Sequence, residues 1–204
     1  YGEFYGQAYE FHGVPYERAG VEKWWAVARR YHQMAHQHRF VITERRGRGP
    51  DERNWDDYDR TYGTVLDGSL FTAAQGYVGP GAGTGVTFWR APFRQAFDGR
   101  VPEFTDEQLA QYTTGARAYW ERLKARGWDA KRFFAYIVDE AGRVTPRSVV
   151  DMRKLQEALD AGAGKGRINL IWTSHTNPAT LAGDPATDLR GIIRWWAPNG
   201  RACD

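Results

Sequence analysis

The sequence predicts an α/β fold built on a parallel sheet. Three observations point there. Short apolar, β-branched or aromatic runs alternate along the chain with segments of helical periodicity. One of the runs, residues 133–138, is apolar without interruption, as expected of a strand covered on both faces. The chain has 204 residues, 42% of them hydrophobic, which suffices for one buried core, so residues 1–204 read as a single domain.

Taken in order, residues 1–20 carry aromatics, Gly and Pro without a sustained period and read as a long loop. From residue 21 to about 36, Val21, Trp24, Trp25, Ala28, Tyr31 and Ala35 recur at helical spacing. Residues 40–43 form a short strand that ends at Glu44 and a basic, glycine-rich loop. Asn54 is placed to cap a helix over residues 55–66, with Asp56 and Asp57 in its first turn facing the positive end of the dipole. A glycine-rich loop at 76–85 leads into a strand at 86–89. Thr105 and Gln108 have capping-box spacing and open a helix that Gly127 stops. The strand at 133–138 runs into Asp139 and Glu140; Thr145 then caps a helix with Pro146 at its first position. Strands at 168–172 and 192–196 complete the visible alternation. About five strands are legible where eight close a barrel, so the chain reads as a TIM-barrel-like (β/α)8 fold, incomplete here, with an open doubly wound sheet as the alternative. Tyr1 and Asp204 both read as cut ends, so the lack of a signal peptide is uninformative and a secreted or periplasmic setting stays open.

Composition excludes several classes. No apolar run approaches the roughly 20 residues of a membrane helix, so no membrane partner is expected. The single Cys203 excludes an internal disulfide and a Cys-rich zinc site. A net charge of +3 invites nucleic acid, but the basic residues are scattered and their densest run, Arg45, Arg46 and Arg48, lies in a loop, so no nucleic-acid partner is expected. Nine Trp within an aromatic content of 15% favour a carbohydrate partner, because aromatic faces stack on the C–H faces of sugars; core filling accounts for many of these rings.

In a parallel barrel the chemistry sits at the C-terminal ends of the strands. Reading each strand to its end gives Glu44, Asp139 with Glu140, His175 and Asn199. The adjacent carboxylates are the most informative, since ionising both beside an apolar strand is costly and raises one pKa, which makes a general acid. Cleavage of a glycoside needs such an acid at the leaving oxygen and a second group to stabilise the cation-like sugar. The plainer reading has Asp139 capping the next turn and Glu140 in solvent.

Residues 134–140, Phe-Ala-Tyr-Ile-Val-Asp-Glu, resemble the catalytic strand of glycoside hydrolase family 123, the β-N-acetylgalactosaminidases, and of the related barrel family called domain of unknown function 4091. Further similarity lies in residues 55–59, Trp-Asp-Asp-Tyr-Asp, in Leu66-Asp67-Gly68, in Gly127-Trp128 and in residues 195–199, Trp-Trp-Ala-Pro-Asn. The resemblance implies a substrate-assisted, retaining hydrolase of a 2-acetamido sugar. Glu140 would then be the acid/base and Asp139 the partner of the acetamido group, with no enzyme nucleophile. The family strand often continues Asp-Glu-Pro, whereas Ala141 follows here.

Two other readings stand beside it: ordinary double displacement by Glu44 and Glu140, and a carbohydrate-binding or structural barrel without chemistry. Trp89, Trp172, Trp195 and Tyr136 are candidate sugar platforms, and His175 and Asn199 candidate substrate ligands; Tyr136 is the weakest because it lies within the strand. His32, His36 and His38 suggest metal, the first two four apart on a helix, but Gln33 stands where a zinc peptidase places its Glu, so they read as solvated or helix-capping and no metal is expected. The glycine runs at 79–83 and 162–166 lack the order of nucleotide-binding loops; the first reads as a mobile loop near the mouth and the second as a helix stop, and no cofactor is expected. A cut-open barrel exposes strand edges, which a partner domain or chain should cover.

Overall fold

The computed structural model describes residues 2–4, 10–14, 21–44, 55–93, 97–98, 101–139, 144–174 and 185–198. The chain divides into two compact units, Tyr1–Trp89 and Arg90–Asp204.

In the first unit, β1 (Gly2–Phe4) pairs in parallel with β2 (Ile42–Glu44), and helix α1 (Val21–Gln37) lies between them in sequence. A strand at 2–4 departs from the loop expected over residues 1–20: three residues are too few to show alternation, and only the partner strand defines them. Helix α2 (Trp55–Asp67) ends at Gly68, whose φ of 92° is open to glycine, and two short 3-10 turns follow, Ser69–Phe71 and Ala73–Gln75. A Cβ on Gly85 would stand 1.9 Å from the Leu66 carbonyl oxygen, so glycine is what lets the returning loop close against the end of α2.

A parallel sheet is ordered β3-β5-β7-β8, with β3 at Phe88–Arg90, β5 at Arg132–Ala135, β7 at Ile168–Ser174 and β8 at Trp195–Pro198; of β3 only Arg90 counts in the second unit. Two further short strands, β4 (Phe97–Asp98) and β6 (Val138–Asp139), pair in parallel with each other. Helix α3 (Asp106–Ala125) starts in the expected capping box, in which the Thr105 side chain accepts from the Gln108 amide and the Gln108 side chain accepts from the Thr105 amide. Helix α4 (Pro146–Ala163) starts on Thr145 with proline in its first turn and ends at Gly164. α3 and α4 pack side by side, so closely at Gly162 that a Cβ there would stand 2.2 Å from the Thr113 carbonyl oxygen.

Two strands differ from expectation. The apolar run at 133–138 is not one ladder: β5 pairs with β7, Tyr136 and Ile137 leave the ladder, and β6 pairs with β4. Periodicity reports burial, which is continuous here, and not the change of partner. The run at 192–196 enters its ladder only at Trp195, because the amides of Ile192 and Ile193 turn back to the Leu189 carbonyl around Gly191, whose φ is 80°.

Register and alternation sort the sheet into two faces. Phe133, aligned with Ile168, meets Tyr119 and Trp120 of α3 edge-on at 5.6 and 6.4 Å, so Phe133, Ala135, Ile168, Leu170 and Trp172 form the helix-covered face. Phe134 and Trp195 stack on the opposite face at 5.5 Å, where Tyr136, Ile171 and Thr173 also belong.

Candidate functional site

At the C-terminal ends of the second unit's strands a polar group is built into that opposite face. Arg90 ends β3 and is buried, 6% exposed. Its guanidinium lies over the Tyr136 ring, 4.9 Å from the centroid, and its Nη2 donates to the Tyr136 carbonyl oxygen at 3.3 Å. The Tyr136 hydroxyl stands 3.1 Å from Thr173 Oγ1 on β7. A buried cation and two hydroxyls thus join three strands where the chain leaves the β5 ladder. The Tyr136 carbonyl, outside the ladder, has the donor a buried carbonyl requires. Three residues farther on, Asp139 ends β6 with Asp98 as its register partner on β4.

The expected site residues fall into three sets. For Asp139 and Glu44 only the backbone is described, at the last positions of β6 and β2. Glu140, His175 and Asn199 lie outside the described residues. Of the four candidate platforms, three are buried: Trp172, Trp89 and Tyr136, the last 5% exposed with the Arg90 guanidinium over its ring. Trp172 is 2% exposed on the helix-covered face, because strand alternation turns it away from Thr173. Trp89 is 3% exposed among His32 and Tyr62, at 5.8 and 5.6 Å. A stacking platform needs a bare face, and none of the three has one. Trp195 is half-buried on the same face as Tyr136, and Tyr136, the weakest candidate in sequence, is the residue around which the strand-end group is organised.

Arg90 and Thr173 were not foreseen. The run at 86–89 continues into Arg90, and reading that strand to its end as the others were read finds it. Thr173 has no local signal, because its partner is 37 residues away.

His32 and His36 are packed against aromatic rings, and His32 is buried instead of solvated or capping, because the apolar face of α1 turns it inward. His32 is buried among Trp25 and Trp89, and burial pushes its pKa down to about 4, leaving it neutral. His36 stacks on Phe71 at 3.8 Å and bonds through Nδ1 to the Tyr77 hydroxyl at 2.6 Å. That hydroxyl donates to the Pro80 carbonyl oxygen, and Gly83 N–H bonds to Phe71 O, so the loop expected to be mobile is tied down. Among the described residues there is no cluster of metal-ligating side chains, and no helix is long and apolar enough to cross a membrane. Compared with models of protein families, with curated proteins and with solved structures, the chain gives no match.

Proposed function

We propose that this chain is a (β/α)-barrel glycoside hydrolase acting on a 2-acetamido sugar by substrate assistance, with Glu140 as general acid/base and Asp139 as the partner of the acetamido group. The observation that carries the reading is the position of Asp139. It closes β6 at the C-terminal end of an all-parallel arrangement, where loops gather and where such sheets bind their ligands. The order β3-β5-β7-β8 follows the chain without reversal, and the helices of successive crossovers, α3 and α4, lie side by side. A doubly wound sheet reverses its order and divides its helices between two faces, so both features favour a barrel wall. In that geometry the face of Tyr136, Thr173 and Trp195 is the interior, and Trp195 is its half-buried candidate ring.

Glu140 protonates the leaving oxygen while the substrate's own acetamido oxygen attacks the anomeric carbon. Asp139 accepts the acetamido N–H and steadies the positive charge of the cyclic intermediate. Glu140, now a carboxylate, then takes a proton from the water that opens that ring, and two displacements retain the anomeric configuration.

The test is hydrolysis of chromogenic N-acetylgalactosaminide and N-acetylglucosaminide beside the plain galactoside and glucoside, by the wild type and by Glu140→Gln. Cleavage of the acetamido sugars alone, reduced on the order of 10²- to 10⁴-fold in the variant while sugar binding is kept, supports the reading. Cleavage of the plain sugars removes substrate assistance, and silence on all four leaves a sugar-binding barrel.

A further inference from the structure

The break between β5 and β6 is the step that decides where Asp139 comes to stand. Up to Ala135 the strand is held by β7; from Val138 it is held by β4. Tyr136 and Ile137 have neither ladder, so something else must hold the chain across the change of partner. Arg90 holds Tyr136 at two points of the same residue, its carbonyl oxygen and its ring, and Thr173 holds a third, the hydroxyl. A planar guanidinium suits this work, because it donates in its plane while its face lies on an aromatic ring. Burying the cation is costly, and an apolar residue of similar length would fill the space without that cost if packing were the only requirement.

We infer that Arg90 is a positioning residue: by gripping the carbonyl and ring of Tyr136 it sets the β5-to-β6 break, and so the place of the backbone at Asp139. The functional half of the inference rests on the glycosidase reading above; the structural half does not. Arg90 does not touch substrate in this role. Its loss therefore displaces the acid pair with little effect on sugar affinity, and displacements of about 1 Å in a catalytic group cost on the order of a hundredfold in rate.

The experiment compares the wild type with Arg90→Met, Arg90→Lys and Tyr136→Phe, by kinetics on the N-acetylgalactosaminide and by backbone hydrogen exchange of the same proteins. Arg90→Met, with rates taken per mole of folded enzyme as measured by near-ultraviolet circular dichroism, should lower kcat on the order of a hundredfold with KM within about twofold; unfolding would also lower the apparent kcat at unchanged KM, and the folded-fraction correction and the exchange pattern separate the two. Arg90→Lys, which keeps the charge without the planar fork, should fall between, and Tyr136→Phe should lose least. Exchange should quicken about tenfold or more at residues 136–139 in Arg90→Met while α4 and β7 keep their protection. An active wild type with kcat unchanged in Arg90→Met overturns the inference and leaves the glycosidase reading standing. If the wild type cleaves nothing, that reading falls, and exchange alone decides: quickening confined to residues 136–139 upholds the grip, and unchanged protection there removes it. Should Arg90→Met not fold, Arg90→Lys and Thr173→Val decide by the same criteria.

Discussion

The two compact units bury different chemistry. In the second, the helix-covered face of the sheet is apolar, with Phe133 fully buried against Tyr119 and Trp120 and flanked in register by Ile168. In the first, Trp25, Tyr62 and Trp89 meet ring against ring at 5.6–5.9 Å, and an ionisable ring, His32, is buried with them. An apolar core responds to volume alone. A core holding an imidazole responds to pH as well, because the folded state accepts only its neutral form.

Phe133→Ala should show the first kind of response at its largest. Deleting a fully buried phenylalanine costs about 3–5 kcal/mol, as lost transfer energy and a cavity beside Tyr119 and Trp120. Urea unfolding followed by far-ultraviolet circular dichroism at pH 7.5 and 5.5 should give the same decrement at both. A decrement that changes with pH would mean that the helix-covered face of the sheet is coupled to the charged groups buried elsewhere in the unit, Arg90 and Asp151.

His32 should show the second kind. Its pKa is pushed from 6.5 down to about 4 in the folded chain by burial. Between those values the unfolded chain binds a proton that the folded chain refuses. The stabilising contribution is therefore complete above about pH 6.5 and is lost as the pH falls toward 4, to a total on the order of 3 kcal/mol. His32→Phe, which keeps a ring among Trp25 and Trp89, should flatten that slope. The window from pH 6.5 to 5 is the most telling, since most carboxylates titrate below it. A slope that survives the substitution would assign the acid sensitivity to another group and dissolve the contrast between the units.

The same contrast explains what could be read from the sequence. The four α-helices α1 to α4 fall within a residue or two of the expected ranges, because periodicity and the capping residues Thr105 and Thr145 are local signals; the short 3-10 turns after α2 carry no such signal. Strands were found where they are buried, but their ladders depend on partners: β1 is invisible without β2, and the break at Tyr136 and Ile137 is invisible without β4. Of the candidate site, the strand-end position of Asp139 was legible as the end of an apolar run. The choice between Trp172 and Trp195 was not, since the two differ only in which face alternation gives them. The buried grip of Arg90 and Thr173 on Tyr136 joins residues 46 and 37 positions apart, beyond the reach of any local pattern.

The smallest expected effect separates packing from hydrogen bonding within the first unit. Tyr77 is buried, and its hydroxyl both receives His36 Nδ1–H and donates to Pro80 O, while its ring meets Phe71 at 5.6 Å. Tyr77→Phe keeps the ring and removes both bonds. Pro80 is exposed, so water satisfies its carbonyl, and the net loss should be about 1 kcal/mol, seen as roughly fivefold faster amide exchange at Gly83 and its neighbours. His36 keeps its stack on Phe71, and burial still holds its pKa below the ordinary value against the backbone hydrogen bond at Thr84 that raises it. Unchanged exchange would show that ring stacking alone closes the loop. A loss of several kcal/mol would show that the His36–Tyr77–Pro80 chain holds the whole first unit, and its stability would then rest on polar contacts as much as on aromatic ones.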